Sequence, residues 1–398
     1  MSDKYKMTIS GSAANQPFPS CQGFSRIYSP TATSFSDYNS AESEIGTTGF
    51  AIFFRHTERS STMRYSNVGR SNMTVSKICL GTMHFGNYTS EAEAFKIMDK
   101  CLEMGINYFD TANVYGGTAG TGATETILGK WFEQGGGRRD KVVLATKVYN
   151  RMVRDSADPM PNDEGGISAF KVRKQIADSL RRLKTDHVDL YQVHHIDRRA
   201  QPEEFWGTFD LLIANGDILY VGTSNFPGWG LAKYQMHAQR RGDLGIVSEQ
   251  CQYNLLSRWP ELEVIPAARD FGIGIMPYMP LGGGLLSGKK KAQAGSRTSN
   301  VEREYGLDIA HNKQLEEFAA LCREIGEKEH IVAIAWVLAN PAVYSAIVGA
   351  RTLDHLDGLD HAAELALAPE TIGRLNTIFD INHGRRLQVG EAPEAFAW

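Results

Sequence analysis

Four ionisable side chains set the chemistry open to this chain: Asp110, Tyr115, Lys147 and His194. A free phenol has a pKa of about 10, too high for easy proton donation at neutral pH. A neighbouring ammonium stabilises the phenolate and lowers that barrier. A carboxylate beside the ammonium would hold it in place, and an imidazole could orient a carbonyl or join the proton relay. Such a set suits protonation of an oxygen as hydride reaches its carbon. It does not suit acyl transfer, because no strong serine elbow accompanies it. Singly, each residue has a plainer role: a cap after a strand, a rim aromatic beside Gly116–Gly117, a solvated strand end, a structural histidine. Chemistry becomes the better reading only if one fold brings all four to one face.

The elements that must do so alternate between strand and helix signals. Residues 1–62 are rich in Ser, Thr, Asn and Gly and hold no sustained period, which predicts a mostly disordered extension. From Met63 the pattern changes to a small hairpin turning at Gly69–Asn72, followed by a strand Val75–Leu80. Further strands are expected over Ile106–Ala112, Val142–Val148, His187–His194, Ile218–Ser224, Ile246–Tyr253, Ile273–Met279 and Tyr344–Val348. Helices are expected between them: Ala92–Met104 behind a Ser90/Glu93 capping box, Thr124–Phe132, a Ser168-capped helix through Leu183, one from Pro202, Leu231–Arg240, Glu261–Phe271, and further helices within His311–Asn340 and Leu353–Phe379. About eight strand–helix pairs with no domain break predict a closed (β/α)8 TIM barrel over residues 63–398, with the hairpin at its start. In such a barrel active residues stand where strands end. Asp110, Lys147, His194, Ser224 and Gln250 all fall there.

Composition narrows the classes. Of 398 residues, 42% are hydrophobic and 22% charged, enough for a large core without a metal. The net charge of -4, with no strong basic block, weighs against nucleic acid as a partner. Five scattered cysteines without CxxC spacing argue against a disulfide framework and against zinc. No apolar run is long enough to span a bilayer, and the N-terminus lacks an apolar h-region, so the expected compartment is the cytoplasm. The run Gly117-Thr-Ala-Gly120-Thr-Gly122 invites a dinucleotide-loop reading, but its spacing is not GxGxxG and a rim loop is preferred.

The segments DTANVYGG, LATK, VDLYQVHH, VGTSNF, SEQCQYN, PLGGGLLSGK and IVGART, in this order and spacing, resemble an aldo-keto reductase from about Met63 onward. That resemblance implies NADPH and reversible carbonyl reduction. It places the family's tetrad on Asp110, Tyr115, Lys147 and His194, with Tyr115 as general acid. It implies that Ser224, Asn225 and Gln250 hold the nicotinamide amide and that Tyr278 stacks on the ring. Thr82, Met83 and Leu281 would line the cofactor's path and Lys289 would meet a phosphate. Gly349 and Arg351 open the terminal phosphate motif, with Arg351 on the 2′-phosphate. The chain departs from its relatives at His355, where Gln is common, and at Gly358 and Leu359, where Glu-Asn is common. His355 stays assigned to the cofactor, and the adenine contacts are the open part.

Substrate contacts are expected from His84, Phe85, Tyr149, His195 and Trp229, and from the long segment Tyr149–Ile167. HHID, SEQCQYNLL and the ending APEAFAW resemble actinobacterial-type reductases, including ones acting on nucleotide-linked keto-deoxysugars. The implied substrate is a small carbonyl compound, a sugar or another polar aldehyde or ketone. Two other classes compete. Potassium-channel auxiliary subunits share the fold and cofactor as binding and redox-sensing modules, but carry Asn where His194 stands. A non-redox barrel such as an isomerase would bind no nicotinamide.

Overall fold

The hairpin expected after Met63 forms from β1 (Tyr65–Asn67) and β2 (Thr74–Ser76), paired antiparallel. The computed structural model describes residues 63–152, 162, 165–288 and 312–380. The extension over 1–62, the loop 289–309 with Lys289, part of the Tyr149–Ile167 segment and the ending APEAFAW lie outside the described residues.

Eight parallel strands follow: β3 (Ile78–Gly81), β4 (Tyr108–Asp110), β5 (Val143–Val148), β6 (Val188–Val193), β7 (Ile218–Ser224), β8 (Ile246–Gln252), β9 (Gly274–Tyr278) and β10 (Ala346–Val348). They pair in the order β10-β3-β4-β5-β6-β7-β8-β9. The ring closes through backbone bonds: Ile275 N–H donates to Ala342 O (2.9 Å), and Tyr344 N–H donates to Ile275 O (3.1 Å). This is the expected (β/α)8 TIM barrel. Several strands are shorter than their apolar runs. Ile106 and Ala112 flank β4, and Tyr344 precedes β10, because only the residues in register with both neighbours complete the ladder.

Helices wrap the sheet, and their starts follow local chemistry. Ser90 caps α1 (Glu91–Glu103) by accepting from Glu93 N–H, and Ser168 caps α3 (Ala169–Leu183) by accepting from Lys171 N–H. Between them, α2 (Ala123–Glu133) buries Ile127, Leu128, Trp131 and Phe132, with Trp131 5.7 Å from the Phe109 ring of β4. Each such side chain stabilises the layer by about 1.5–3 kcal/mol. Then come α4 (Pro202–Asn215), α5 (Gly228–Arg240) and α6 (Val264–Phe271). The helix expected from Glu261 starts only at Val264, behind a separate turn at Trp259–Glu261. Later helices are α7 (Lys313–Glu324), α8 (Glu329–Ala339), α9 (Leu359–Glu364) and α10 (Pro369–Ile378). Among the described residues no helix is long and apolar enough to cross a membrane.

The barrel interior is stratified, which decides where charge can sit. The hairpin plugs one end with Val68 and Val75, packed against Cys79, Ala145, Leu190 and Val247. Hydroxyls form the next layer: Tyr344 OH lies 3.0 Å from Tyr108 OH and 2.7 Å from Ser248 Oγ. Above it, at the strands' C-terminal ends, stand Asp110, Lys147, Gln192 and Gln250. The charged layer thus opens only toward the loops that follow the strands, as the strand-end rule for such barrels requires.

Candidate active site

Lys147 is the centre of the site. It is fully buried, and an ammonium there needs acceptors on every side. Its Nζ donates to Asp110 Oδ2 (2.5 Å), to Thr111 O (2.9 Å) and to Tyr115 OH (3.2 Å). Burial works against its charge, but the Asp110 carboxylate and Tyr115 outweigh it and hold the pKa above the ordinary lysine value. The ammonium also sits 4.9 Å from the Tyr115 ring centroid. Tyr115 is therefore fixed against a permanent cation, the condition that makes its phenol a better acid.

The loop after β4 delivers Tyr115 by folding back on itself. Its carbonyl accepts from Gly122 N–H (3.1 Å) and Thr124 N–H (3.3 Å), so the start of α2 anchors it. Gly116 follows at φ 146, and a Cβ there would lie 2.0 Å from Gly120 O. Only glycine allows that close approach. The run Gly117–Gly122 begins as a short turn and does not line the cavity that Asp110, Tyr115 and His194 share.

His194, just past β6, meets the Tyr115 ring edge-on at 5.8 Å and stacks on His195 at 5.0 Å. Burial, then the Lys147 charge and His195, push its pKa well below the usual histidine value, so the ring is neutral at physiological pH. Asn150 Nδ2 lies 3.4 Å from His194 Nδ1. A neutral ring accepting there carries its proton on Nε2, ready to donate. The four expected side chains thus meet, and Asp110, Tyr115 and His194 reach the wall of a cavity of about 540 Å³, with Lys147 directly behind them.

That wall also holds Thr82, Met83, His84, His195, Ser224, Asn225, Gln250, Tyr278, Leu281, Gly349, Arg351 and His355. Asn225 adopts φ 56 and commits both amide hydrogens, donating to His194 O (3.0 Å) and Ser224 Oγ (3.0 Å). Its Oδ1 accepts from Tyr278 OH (3.0 Å). At the far end Arg351 N–H donates to His355 Nδ1 (3.2 Å), and the guanidinium stands 6.0 Å from the Tyr88 ring.

Three expected substrate residues lie elsewhere. Phe85 is a correction: its N–H turns back to Thr82 O (2.9 Å), which carries the fully buried ring into the core between barrel and helices. Tyr149 packs edge-on to His195 at 5.2 Å, behind the wall rather than on it. Trp229 is 47% exposed in the first turn of α5, its N–H bonded to Glu263, and does not line the cavity. Asn150, His330, Ile334, Asp357 and Gln192 are not among the residues expected from the sequence. Asn150 follows a strand end just as His194 does, and that signal could have found it. His330, Ile334 and Asp357 line the cavity from α8 and the approach to α9, where no strand end marks them.

Beneath the Asn225 turn lies Glu249, fully buried on β8. Its Oε2 accepts from Thr223 Oγ1 (2.5 Å) and its Oε1 from Phe226 N–H (3.0 Å). Burial raises its pKa from 4.5 to about 8, although these donors pull the other way. Between those values the folded chain holds a proton the unfolded chain has lost. Stability therefore falls as pH rises from 4.5 to about 8 and levels off above. Glu249→Gln keeps the shape and cannot ionise. In denaturant titrations across that pH range, the variant should lack a slope amounting to roughly a few kcal/mol. An identical pH slope in both proteins would clear Glu249 of it.

Comparison with known proteins gives the family. The Aldo/keto reductase family profile matches residues 77–380, so the chain belongs to this family of oxidoreductases. An uncharacterized oxidoreductase, YrpG, of Bacillus subtilis (strain 168) is 50% identical over 337 residues, spanning 84% of this chain and 100% of its own length. Norsolorinic acid reductase B of Dothistroma septosporum is 30% identical over 325 residues, 79% of this chain and 81% of its own. A probable voltage-gated potassium channel subunit beta of Oryza sativa subsp. japonica is 30% identical over 329 residues, 79% of this chain and 96% of its own.

Proposed function

We propose that this protein reduces an aldehyde or ketone with NADPH, reversibly, using Tyr115 as the general acid. The observation that carries this is the buried Lys147, bonded at once to Asp110 and Tyr115, beside a neutral His194 on the wall of one cavity. When bound, the nicotinamide supplies hydride to the carbonyl carbon. Tyr115 O–H gives its proton to the carbonyl oxygen, and Lys147 stabilises the phenolate left behind. Asp110 holds the ammonium. Neutral His194 donates a hydrogen bond to the same oxygen, favouring the geometry in which negative charge grows there.

The residues present fit a nicotinamide. Ser224 Oγ already accepts from Asn225, which leaves its O–H as a donor to the cavity. Gln250 commits its Nε2 to Asp110 (3.0 Å) and Gln192 (3.2 Å), which leaves its Oε1 as an acceptor. One donor beside one acceptor complements a primary carboxamide, and Tyr278 offers a ring for stacking. Lys289 joins the proposed phosphate contacts on sequence alone.

Arg351 supports NADPH over NADH, because a guanidinium grips a phosphate bidentately. Arg351→Ala should raise KM for NADPH by roughly ten- to a hundredfold, the contribution of a charged hydrogen bond, and leave KM for NADH unchanged. Equal changes for the two nucleotides would take the 2′-phosphate away from Arg351. Cavity-facing His84 and His195 favour a polar carbonyl such as a sugar. The buried, unpaired thiols of Cys79, Cys101, Cys251 and Cys322 fit a reducing cytoplasm.

The rice relative's name keeps a second reading in play: a nucleotide-binding auxiliary subunit with little turnover. The complete set Asp110, Tyr115, Lys147 and His194 favours the enzyme. NADPH oxidation against a panel of aldehydes, ketones and keto-sugars decides between them. Carbonyl-dependent oxidation is expected; tight NADPH binding with no turnover on any carbonyl would favour the auxiliary role.

A further inference from the structure

Gln192 has no part in the tetrad, yet it is fully buried on β6 beside two of the site's working residues. Asp110 is nearly buried, and each of its carboxylate oxygens needs donors. Oδ2 takes Lys147. Oδ1 accepts from Gln192 Nε2 (2.9 Å) and from Gln250 Nε2 (3.0 Å). Gln250 Nε2 also donates to Gln192 Oε1 (3.2 Å), which closes a triangle of three side chains from β4, β6 and β8. Within that triangle both hydrogens on Gln250 Nε2 are used, one by each partner. The sense of the Gln250 amide is therefore set: nitrogen inward, oxygen to the cavity.

We propose that Gln192 is a positioning residue, which fixes the free oxygen of Asp110 and aims the carbonyl oxygen of Gln250 at a nicotinamide carboxamide. Through it, the ion pair behind Tyr115 and the wall that would hold the cofactor become one hydrogen-bonded unit. Without Gln192, Asp110 loses one of its two amide donors. Gln250 loses the acceptor for its second hydrogen, and its amide is then held by the single bond to Asp110, which leaves the aim of its carbonyl oxygen looser. The proposal rests on the NADPH reading above and adds to it a residue that touches neither substrate nor cofactor.

Gln192→Met keeps length and volume but makes no such bonds. Its binding of NADP⁺ and of 2′,5′-ADP is measured by isothermal titration, alongside kcat and melting temperature. NADP⁺ affinity should fall about tenfold, the contribution of one net hydrogen bond, while 2′,5′-ADP, which lacks the nicotinamide, binds as before. kcat should fall as well. Equal loss of both ligands, tracking a lowered melting temperature, would reduce Gln192 to a structural role and overturn the proposal. Unchanged NADP⁺ affinity and kcat would overturn it too. Should the methionine variant fail to fold, Gln192→Asn, too short to close the triangle, is put through the same pair of titrations. A wild-type protein that bound neither ligand would instead sink the NADPH reading itself.

Discussion

Tyr115→Phe is expected to lower kcat by roughly 10²–10⁴-fold, the usual contribution of a positioned general acid, with NADPH binding retained. The substitution is narrow. Phenylalanine keeps the ring that meets His194 edge-on and the ring over which Lys147 Nζ stands at 4.9 Å. It removes only the hydroxyl, 3.2 Å from that nitrogen. Backbone bonds from Gly122 and Thr124 to the Tyr115 carbonyl are untouched, so the loop stays in place. Loss in kcat with little change in nucleotide affinity marks an interaction made in the transition state. Undiminished turnover would remove Tyr115 from the acid role.

Lys147→Met carries the second large effect, on stability as well as rate. The ion pair with Asp110 is buried on both sides, with side-chain exposures of 0% and 4%. Removing one partner leaves an uncompensated charge, at a cost of about 3–5 kcal/mol. The sign with pH follows from the raised lysine pKa. The ion pair's contribution is fully present below the ordinary lysine range and is lost as pH rises through the higher folded value. Wild-type protein should therefore weaken at strongly alkaline pH in a step that the methionine variant lacks. Its kcat should also fall at least about 10²-fold, because nothing then stabilises the Tyr115 phenolate. Denaturant melts across the alkaline range, paired with turnover at neutral pH, check both halves. A variant as stable as wild type would mean the pair contributes nothing net.

Much of this site was legible in the sequence because a parallel barrel ties position to exposure. Asp110 and His194 stand directly after apolar runs and Lys147 ends the stretch LATK, so position at a strand end was enough to collect them. The same rule misled at Phe85. It also follows a strand end, but the turn back to Thr82 carries it into the core, and one backbone hydrogen bond is invisible to spacing. Gln192 was passed over for the opposite reason. It lies inside VDLYQVHH, where only the register of β6 against β5 and β7 decides that it faces Asp110 rather than a helix. Glu249 needed the same information, together with the irregularity in pairing at Val221/Gly222. His330 and Asp357 come from helices and turns that close the cavity from a distance in sequence, with no strand end to flag them.

The central claim is that this site moves hydride from NADPH to a carbonyl carbon. Reduction of an active aldehyde or ketone with NADPH deuterated at the transferable position, followed by mass spectrometry of the alcohol, tests it most directly. Deuterium on the carbinol carbon, one per molecule of NADPH consumed, is the predicted result. Turnover that yields product without deuterium, or with label lost to solvent, would contradict the account.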